Sequence, residues 1–306
     1  MTFQRTLKKS VSLVGVGLHS GARAEARIKP AAIDQGIIFV RRDLEGKPAI
    51  PARYSHVVNT QMATTLGQGR ATISTVEHLM AALHGLSIDN AIIEIDGPEI
   101  PILDGSALPF FEAIQAVGID SQDALRPILV LRKRVEVQVG DKWAVAEPSS
   151  RLEVHGTVDW DHPAIGYQEF HYIDGATAFS ELAGARTFGF LRDFEGLKQK
   201  GLARGCSLDN VIALDEYAVL NPDGLRFPNE FARHKVLDAL GDFKLAGISL
   251  QAHVRMHRAG HDLHNRLICE ILRDANQYEI LNSRTPSPAA AREDWLSALR
   301  PALVGA

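Results

Sequence analysis

His78-Leu79-Met80-Ala81-Ala82-Leu83-His84-Gly85 and His234-Lys235-Val236-Leu237-Asp238-Ala239-Leu240-Gly241 share one pattern. In each, a histidine is followed seven residues later by a glycine, then by a strand-like run (88–96 and 248–257), a turn and another helical stretch. An internal repeat of this kind signals one supersecondary unit used twice. Strands and helices do not alternate in the strict rhythm of a doubly wound sheet. The expectation is an α+β chain of two pseudo-repeated halves, each a β-sheet covered by two helices. The halves face each other across a cleft where a shared site could form.

The local signals around the repeat agree with this division. Ser74-Thr75-Val76-Glu77 opens a helical pattern, with Val76, Leu79, Met80 and Leu83 on one apolar face and Gly85 where a helix C-terminus favours glycine. Asn229 is placed to N-cap the second copy, a helix through His234, Asp238 and Asp242 to about Gly247. Further helices are expected over 109–117 and 263–272, and strands over 37–40, 91–95 and 128–131. Val135, Val137 and Val139 alternate with polar residues as a half-buried strand does. The polar run 121–127 reads as the join, giving an N-terminal domain 1–122 and a C-terminal domain 126–285. Residues 286–306 mix Pro, Ala and charge and read as a tail.

Composition narrows the function classes. The chain has 306 residues, 45% hydrophobic and 23% charged, with a formal net charge of -4 and no basic block, which argues against a nucleic-acid partner. The two cysteines, Cys206 and Cys269, exclude a Cys-rich metal knuckle, so a metal site must use His and carboxylate. Arg5, Lys8 and Lys9 are not followed by an apolar stretch, and no apolar run approaches a bilayer span; the expectation is a cytoplasmic protein without a transmembrane segment. Nothing in the sequence demands an oligomer, and a monomer is expected.

His234 and Asp238 carry the sharpest chemical signal. Four residues apart on a helix, they leave from one face within about 40° of each other and could reach one ion. The same spacing also suits a solvated helical pair. His78, at the matching position of the other copy, favours the metal: two imidazoles and one carboxylate leave a fourth position for water, the catalytic pattern. Two roles fit Glu77 equally. Ser74-x-x-Glu77 is a capping box, and a carboxylate beside a metal ligand can also act as a base. His261, in a turn before a helix, is a candidate proton donor that Asp242 could orient. The stretch Gly15-Val16-Gly17-Leu18-His19-Ser20-Gly21 lacks the residues of a phosphate loop and reads as a tight strand turn. Ser180 has no nucleophile-elbow context.

Six stretches, in order, carry a family resemblance: residues 15–21; Thr75-Val76-Glu77-His78-Leu79-Met80-Ala81-Ala82-Leu83; Asp104-Gly105-Ser106; Ala185-Arg186-Thr187-Phe188-Gly189-Phe190; Asn229-Glu230-Phe231 through Arg233-His234-Lys235 to Leu237-Asp238; and Gly260-His261 with Leu263 and Asn265. Together they resemble the UDP-3-O-acyl-N-acetylglucosamine deacetylases of bacterial lipid A synthesis, over about residues 3–285. The resemblance implies two βααβ-type layers packed helix face to helix face. It implies zinc on His78, His234 and Asp238, although such ligands also suit iron. Glu77 would be the general base, His261 the general acid with Asp242 as its partner, and Thr187 an oxyanion donor. Lys235 and Arg258 would lie near the hexose and diphosphate of an acylated UDP-sugar. His19 and Phe188 would line the substrate site, and Trp160, where relatives more often carry Phe, would stack on the uracil. An insert over 188–213 would form the acyl passage, lined by Leu191, Phe194, Leu208 and Ala213. Plain core packing is the competing role for each of those four.

Overall fold

A computed structural model describes residues 2–282. The expected tail, 286–306, lies outside the described residues. Two five-stranded sheets dominate. The first places strands Val11–Val16, Arg23–Pro30, Ala91–Ile95, Ile37–Arg41 and Ala49–Pro51 side by side in that order. The second does the same with Val135–Val139, Lys142–Glu147, His253–His257, Glu153–Trp160 and Gly166–Ile173. The pairings match step for step: antiparallel, antiparallel, parallel, antiparallel. The repeat glimpsed in two octapeptides is therefore a repeat of topology.

Each sheet receives helices on one face. Helices α1 (Glu77–Gly85) and α2 (Leu108–Val117) belong to the first half. Two short helices follow, α3 (Ser180–Ala183) and α4 (Leu191–Gln199). The second half contributes α5 (Glu230–Lys244) and α6 (His261–Arg273). The inward side chains of the central strands, Ile28, Phe39 and Ile93 in one half and Ala144 and Val154 in the other, are fully buried in one core with Leu79, Met80, Leu83, Val236 and Leu240. Burying each such large side chain is worth about 1.5–3 kcal/mol, which fixes the helix layers between the sheets. The α+β architecture, with helices of the two halves packed together, is as expected.

Helix α1 lies directly on α5, and one glycine permits it. A Cβ built on Gly241 would stand 2.0 Å from the carbonyl oxygen of Glu77 and 3.1 Å from the amide nitrogen of Ala81. The matching Gly85 serves a different neighbour: a Cβ there would meet the Phe179 ring at 2.3 Å. Gly85 closes α1, as expected, without a left-handed backbone; the positive φ falls on Ser87, at 55°.

Three other expectations change. The Ser74–Glu77 capping box does not form: the Ser74 hydroxyl bonds Thr65, and Glu77 Oε2 accepts the backbone N–H of Thr64 from a neighbouring strand segment. Asn229 does hold the N-cap position of α5, but its side chain bonds Arg233 and the Glu169 carbonyl instead of the first-turn amides. The polar run near 121–127 is not a bare linker, since Ile119–Leu125 is a strand paired with Phe3–Leu7. Its many polar residues reflect a largely solvent-facing strand.

Candidate metal centre

The first turn of α1 starts from a strained residue. Thr75, β-branched, sits at φ 58°, a conformation such residues seldom adopt without compensation. Its hydroxyl donates to Glu99, 2.9 Å away, and the same carboxylate accepts the backbone N–H groups of His19 and Ser20 at 2.8 Å each. Gly17 leaves room for that carboxylate, because a Cβ there would lie 2.3 Å from it. The glycine-rich stretch is thus the tight turn expected, wrapped around Glu99. It delivers His19, buried, to the same region, close enough that His19 and His261 oppose each other's charge.

From this start His78 points across the α1–α5 contact. His78 Nε2 lies 3.6 Å from Asp238 Oδ1, and His234 Nε2 lies 3.3 Å from the same oxygen. The two rings stand edge to face with centroids 5.1 Å apart. All three residues are buried, and one ligand atom from each falls within 4.8 Å of the others. Whether these atoms suit a cation can be judged from their hydrogen bonds. His234 Nδ1 faces the Ala185 carbonyl at 3.1 Å and must donate to it. In the neutral ring Nε2 is then a bare acceptor, and burial drives the His234 pKa down to about 3. Asp238 Oδ1 is buried with no hydrogen-bond partner. Two acceptors thus face each other with no proton between them, an arrangement that a shared cation stabilises. Ligands about 2.0–2.1 Å from a tetrahedral ion stand about 3.3–3.4 Å apart, close to the spacing found. Burial works to raise the Asp238 pKa, but His234 and Lys235 hold it well below the usual carboxylate range. Lys235 Nζ donates to the other oxygen, Oδ2, at 2.9 Å and so orients the carboxylate.

A second cluster adjoins the trio. His261 and His264, three residues apart at the start of α6, each present Nδ1 to Asp242 Oδ2 at 2.8 Å, and the Thr64 hydroxyl donates to Asp242 Oδ1 at 2.6 Å. His261 Nε2 looks back at Glu77 Oε1 across 3.9 Å. Burial alone would lower the His261 pKa, but Asp242 and then Glu77 lift it to about 9. Burial raises the Glu77 pKa, against the pull of His261 and His78. A buried carboxylate and a protonated imidazole with such perturbed affinities are equipped to trade protons with a substrate between them.

The remaining expected residues sort by position. Phe188 lies 6.3 Å from the His234 ring and carries Trp160 edge-on at 5.4 Å, with Lys235 Nζ 5.5 Å from its face. Thr187 stands two residues beyond the Ala185 carbonyl that holds His234, and its own N–H is fixed by Gly105. Strands Phe188–Phe190 and Ile212–Leu214 pair in parallel, setting Ala213 beside Gly189. Helix α4 buries none of its side chains; Leu191 is 53% exposed, Leu208 46%, and Phe194 is covered by Lys198. Core packing, the competing role for these residues, does not describe Leu191 or Leu208. Arg258 pairs with Asp141 at 2.6 Å. The sequence reading gave no role to Thr64, His264 or the Ala185 carbonyl. A His261-x-x-His264 spacing at a helix start was the available signal for one of them.

The family of UDP-3-O-acyl N-acetylglycosamine deacetylases matches residues 4–273. The chain belongs to this family. Its similarity to individual members is high along the whole length. A UDP-3-O-acyl-N-acetylglucosamine deacetylase of Myxococcus xanthus (strain DK1622) is 51% identical over 282 residues, 92% of this chain and 90% of the relative. The enzymes of that name from Shewanella violacea and Syntrophus aciditrophicus are 45% and 46% identical, covering 94% and 89% of this chain and 96% and 87% of theirs. These deacetylases are metal-dependent, and the buried acceptors above are groups able to hold an ion. No helix among the described residues is long and apolar enough to cross a membrane.

Proposed function

We propose that the protein hydrolyses the acetamide of UDP-3-O-acyl-N-acetylglucosamine to acetate and the free 2-amino sugar nucleotide, the committed step of lipid A synthesis. We take zinc to be its ion, held by His78, His234 and Asp238, and the protein to act as a cytoplasmic monomer. The domains follow the repeat, 1–122 and 126–285. The observation that supports the reading best is the unpartnered Asp238 oxygen facing a bare His234 nitrogen, next to a carboxylate–imidazole pair of opposed function.

An ion held there would supply a Lewis acid for the amide oxygen and for a water molecule. Glu77, its carboxylate fixed by the Thr64 amide, takes a proton from the attacking water as its oxygen bonds the acetyl carbon. Protonated His261, oriented by Asp242, faces the amide nitrogen and gives up its proton as the C–N bond breaks. Thr187 donates toward the oxyanion that develops between these events. Lys235 and Arg258 meet the hexose and diphosphate, Trp160 the uracil, and His19 and Phe188 line the substrate side of the cleft. Leu191, Phe194, Leu208 and Ala213 face the acyl chain, a role suited to Leu191 and Leu208 as apolar side chains left exposed.

The test is acetate release from the acylated UDP-sugar, with metal content measured in parallel. Wild type releases acetate, Asp238→Ala loses both metal and activity, and Glu77→Ala keeps its metal while turnover falls about 10²–10⁴-fold. Full activity in Glu77→Ala would remove Glu77 as the base. Activity independent of the 3-O-acyl group would argue for a simpler amide substrate.

A further inference from the structure

The face of the second five-stranded sheet that points away from α5 carries a group of side chains that the deacetylation does not use. Alternation turns Val154 and Gly156 inward, where a Cβ on Gly156 would meet Val236 of α5, and turns Glu153 and His155 outward. Glu153 is the cross-strand partner of His253, and His155 of His171, so three adjacent strands bring three imidazoles and one carboxylate together. His171 Nε2 lies 3.4 Å from Glu153 Oε2. Ser149 donates to the other oxygen, Oε1, at 2.9 Å and fixes the carboxylate. The His253 ring lies nearly parallel to that of His171 at 5.6 Å, and its Nε2 is hidden from solvent without a hydrogen-bond partner. One ligand atom each from Glu153, His171 and His253 falls within 4.8 Å of the others. His155, 5.3 Å from His171, turns instead to Glu169, which also accepts from Tyr167.

Three crowded imidazoles cannot all be charged without mutual repulsion, and neutral imidazole is the ligand form. Two such nitrogens with one oriented carboxylate, open to water on the outer side, match the donor set and softness that borderline divalent ions favour. A carboxylate held by a hydroxyl from outside the set is the kind of support that metal ligands receive. We propose that Glu153, His171 and His253 bind a second divalent transition-metal ion of the zinc, nickel or copper class, exchangeable with solvent and separate from the trio between α1 and α5. The inference rests on this face alone and stands or falls independently of the deacetylase mechanism.

Calorimetric titration of the full chain, its trio loaded with zinc, with Ni2+ near pH 7.5 tests it, metal analysis confirming that the zinc is retained. Wild type takes up one further equivalent and melts at a higher temperature with Ni2+ present. The double variant His171→Ala, His253→Ala melts like wild type without added metal, takes up no further equivalent, and gains no thermal shift. Glu153→Gln, which keeps the shape of the Ser149 contact, weakens uptake in the same direction and serves if the double variant folds poorly. No further equivalent in wild type, uptake only at millimolar metal, or undiminished uptake in the variants overturns the proposal.

Discussion

Replacing Gly241 by alanine adds one methyl group at a residue that touches no proposed substrate or ion. In a helix this change ordinarily stabilises by up to about 1 kcal/mol. Here the added carbon would begin 2.0 Å from the Glu77 carbonyl oxygen and 2.8 Å from the carbonyl carbon. Reaching even 3.0 Å, below which real Cβ atoms are not found, requires 1.0 Å of separation, and an ordinary contact at 3.4 Å requires 1.4 Å. The obstacle is backbone, so α1 and α5 must move apart as bodies. His78 and Glu77 ride on α1, while His234 and Asp238 ride on α5. The 3.6 Å approach of His78 to Asp238 therefore widens with the helices. Overpacking of this kind costs about 1–3 kcal/mol, and a displacement near 1 Å at a reacting centre costs about a hundredfold in rate. Purified Gly241→Ala is expected to melt several degrees lower, to hold its ion more weakly, and to release acetate about a hundredfold more slowly. Gly196→Ala in α4, where nothing stands within 4 Å, is the matched control and should be neutral or slightly stabilised. A Gly241→Ala protein with wild-type melting, metal affinity and rate would refute the claim that the helix contact sets the site.

Two pH dependences follow from the buried charges. Protonated His261 is the acid form, lost as pH rises through its pKa of about 9, and Asp242 is the strongest influence raising it. Asp242→Asn should draw the alkaline limb of kcat/KM to lower pH by about one to three units; an unmoved limb would detach His261 from that limb. At the far end of the helices, burial lowers the Lys244 pKa from 10.5 to about 8. Between those values the unfolded chain binds more protons than the folded one, so stability rises with pH across that window, and the penalty for the charge is present in full below it. Lys244→Met should raise stability by about 1–3 kcal/mol at pH 7, a gain that denaturant melts should find shrinking toward pH 10. Equal stability at both pH values would contradict the burial of that charge.

How much of this was legible beforehand depends on what kind of contact carried it. The histidine–glycine spacing pointed to a duplicated α+β unit because the repeated helix and strand have local patterns; the shared strand order of the two sheets had no such signal. His78, His234, Asp238, Glu77, Asp242 and His261 were all named from spacing and family resemblance, and the fold gathers them at the α1–α5 and α5–α6 contacts. The misreadings were those in which a local rule met a tertiary competitor. Glu77 had a capping partner in sequence and found Thr64 instead; Asn229 holds its N-cap place but turns its side chain to Arg233 and the Glu169 carbonyl. Thr64 and the Ala185 carbonyl were invisible because a threonine before a strand and a main-chain oxygen carry no sequence signature. The same holds for the histidines of the outer sheet face, which become neighbours only when strands far apart in sequence pair.

The central claim is that side chains from both halves converge on one ion. Anomalous diffraction at the zinc edge from crystals of the protein tests it most directly. A strong peak is expected about 2.0–2.2 Å from His78 Nε2, His234 Nε2 and Asp238 Oδ1 together. A trio with no peak, or an ion bound there without His78, would contradict it.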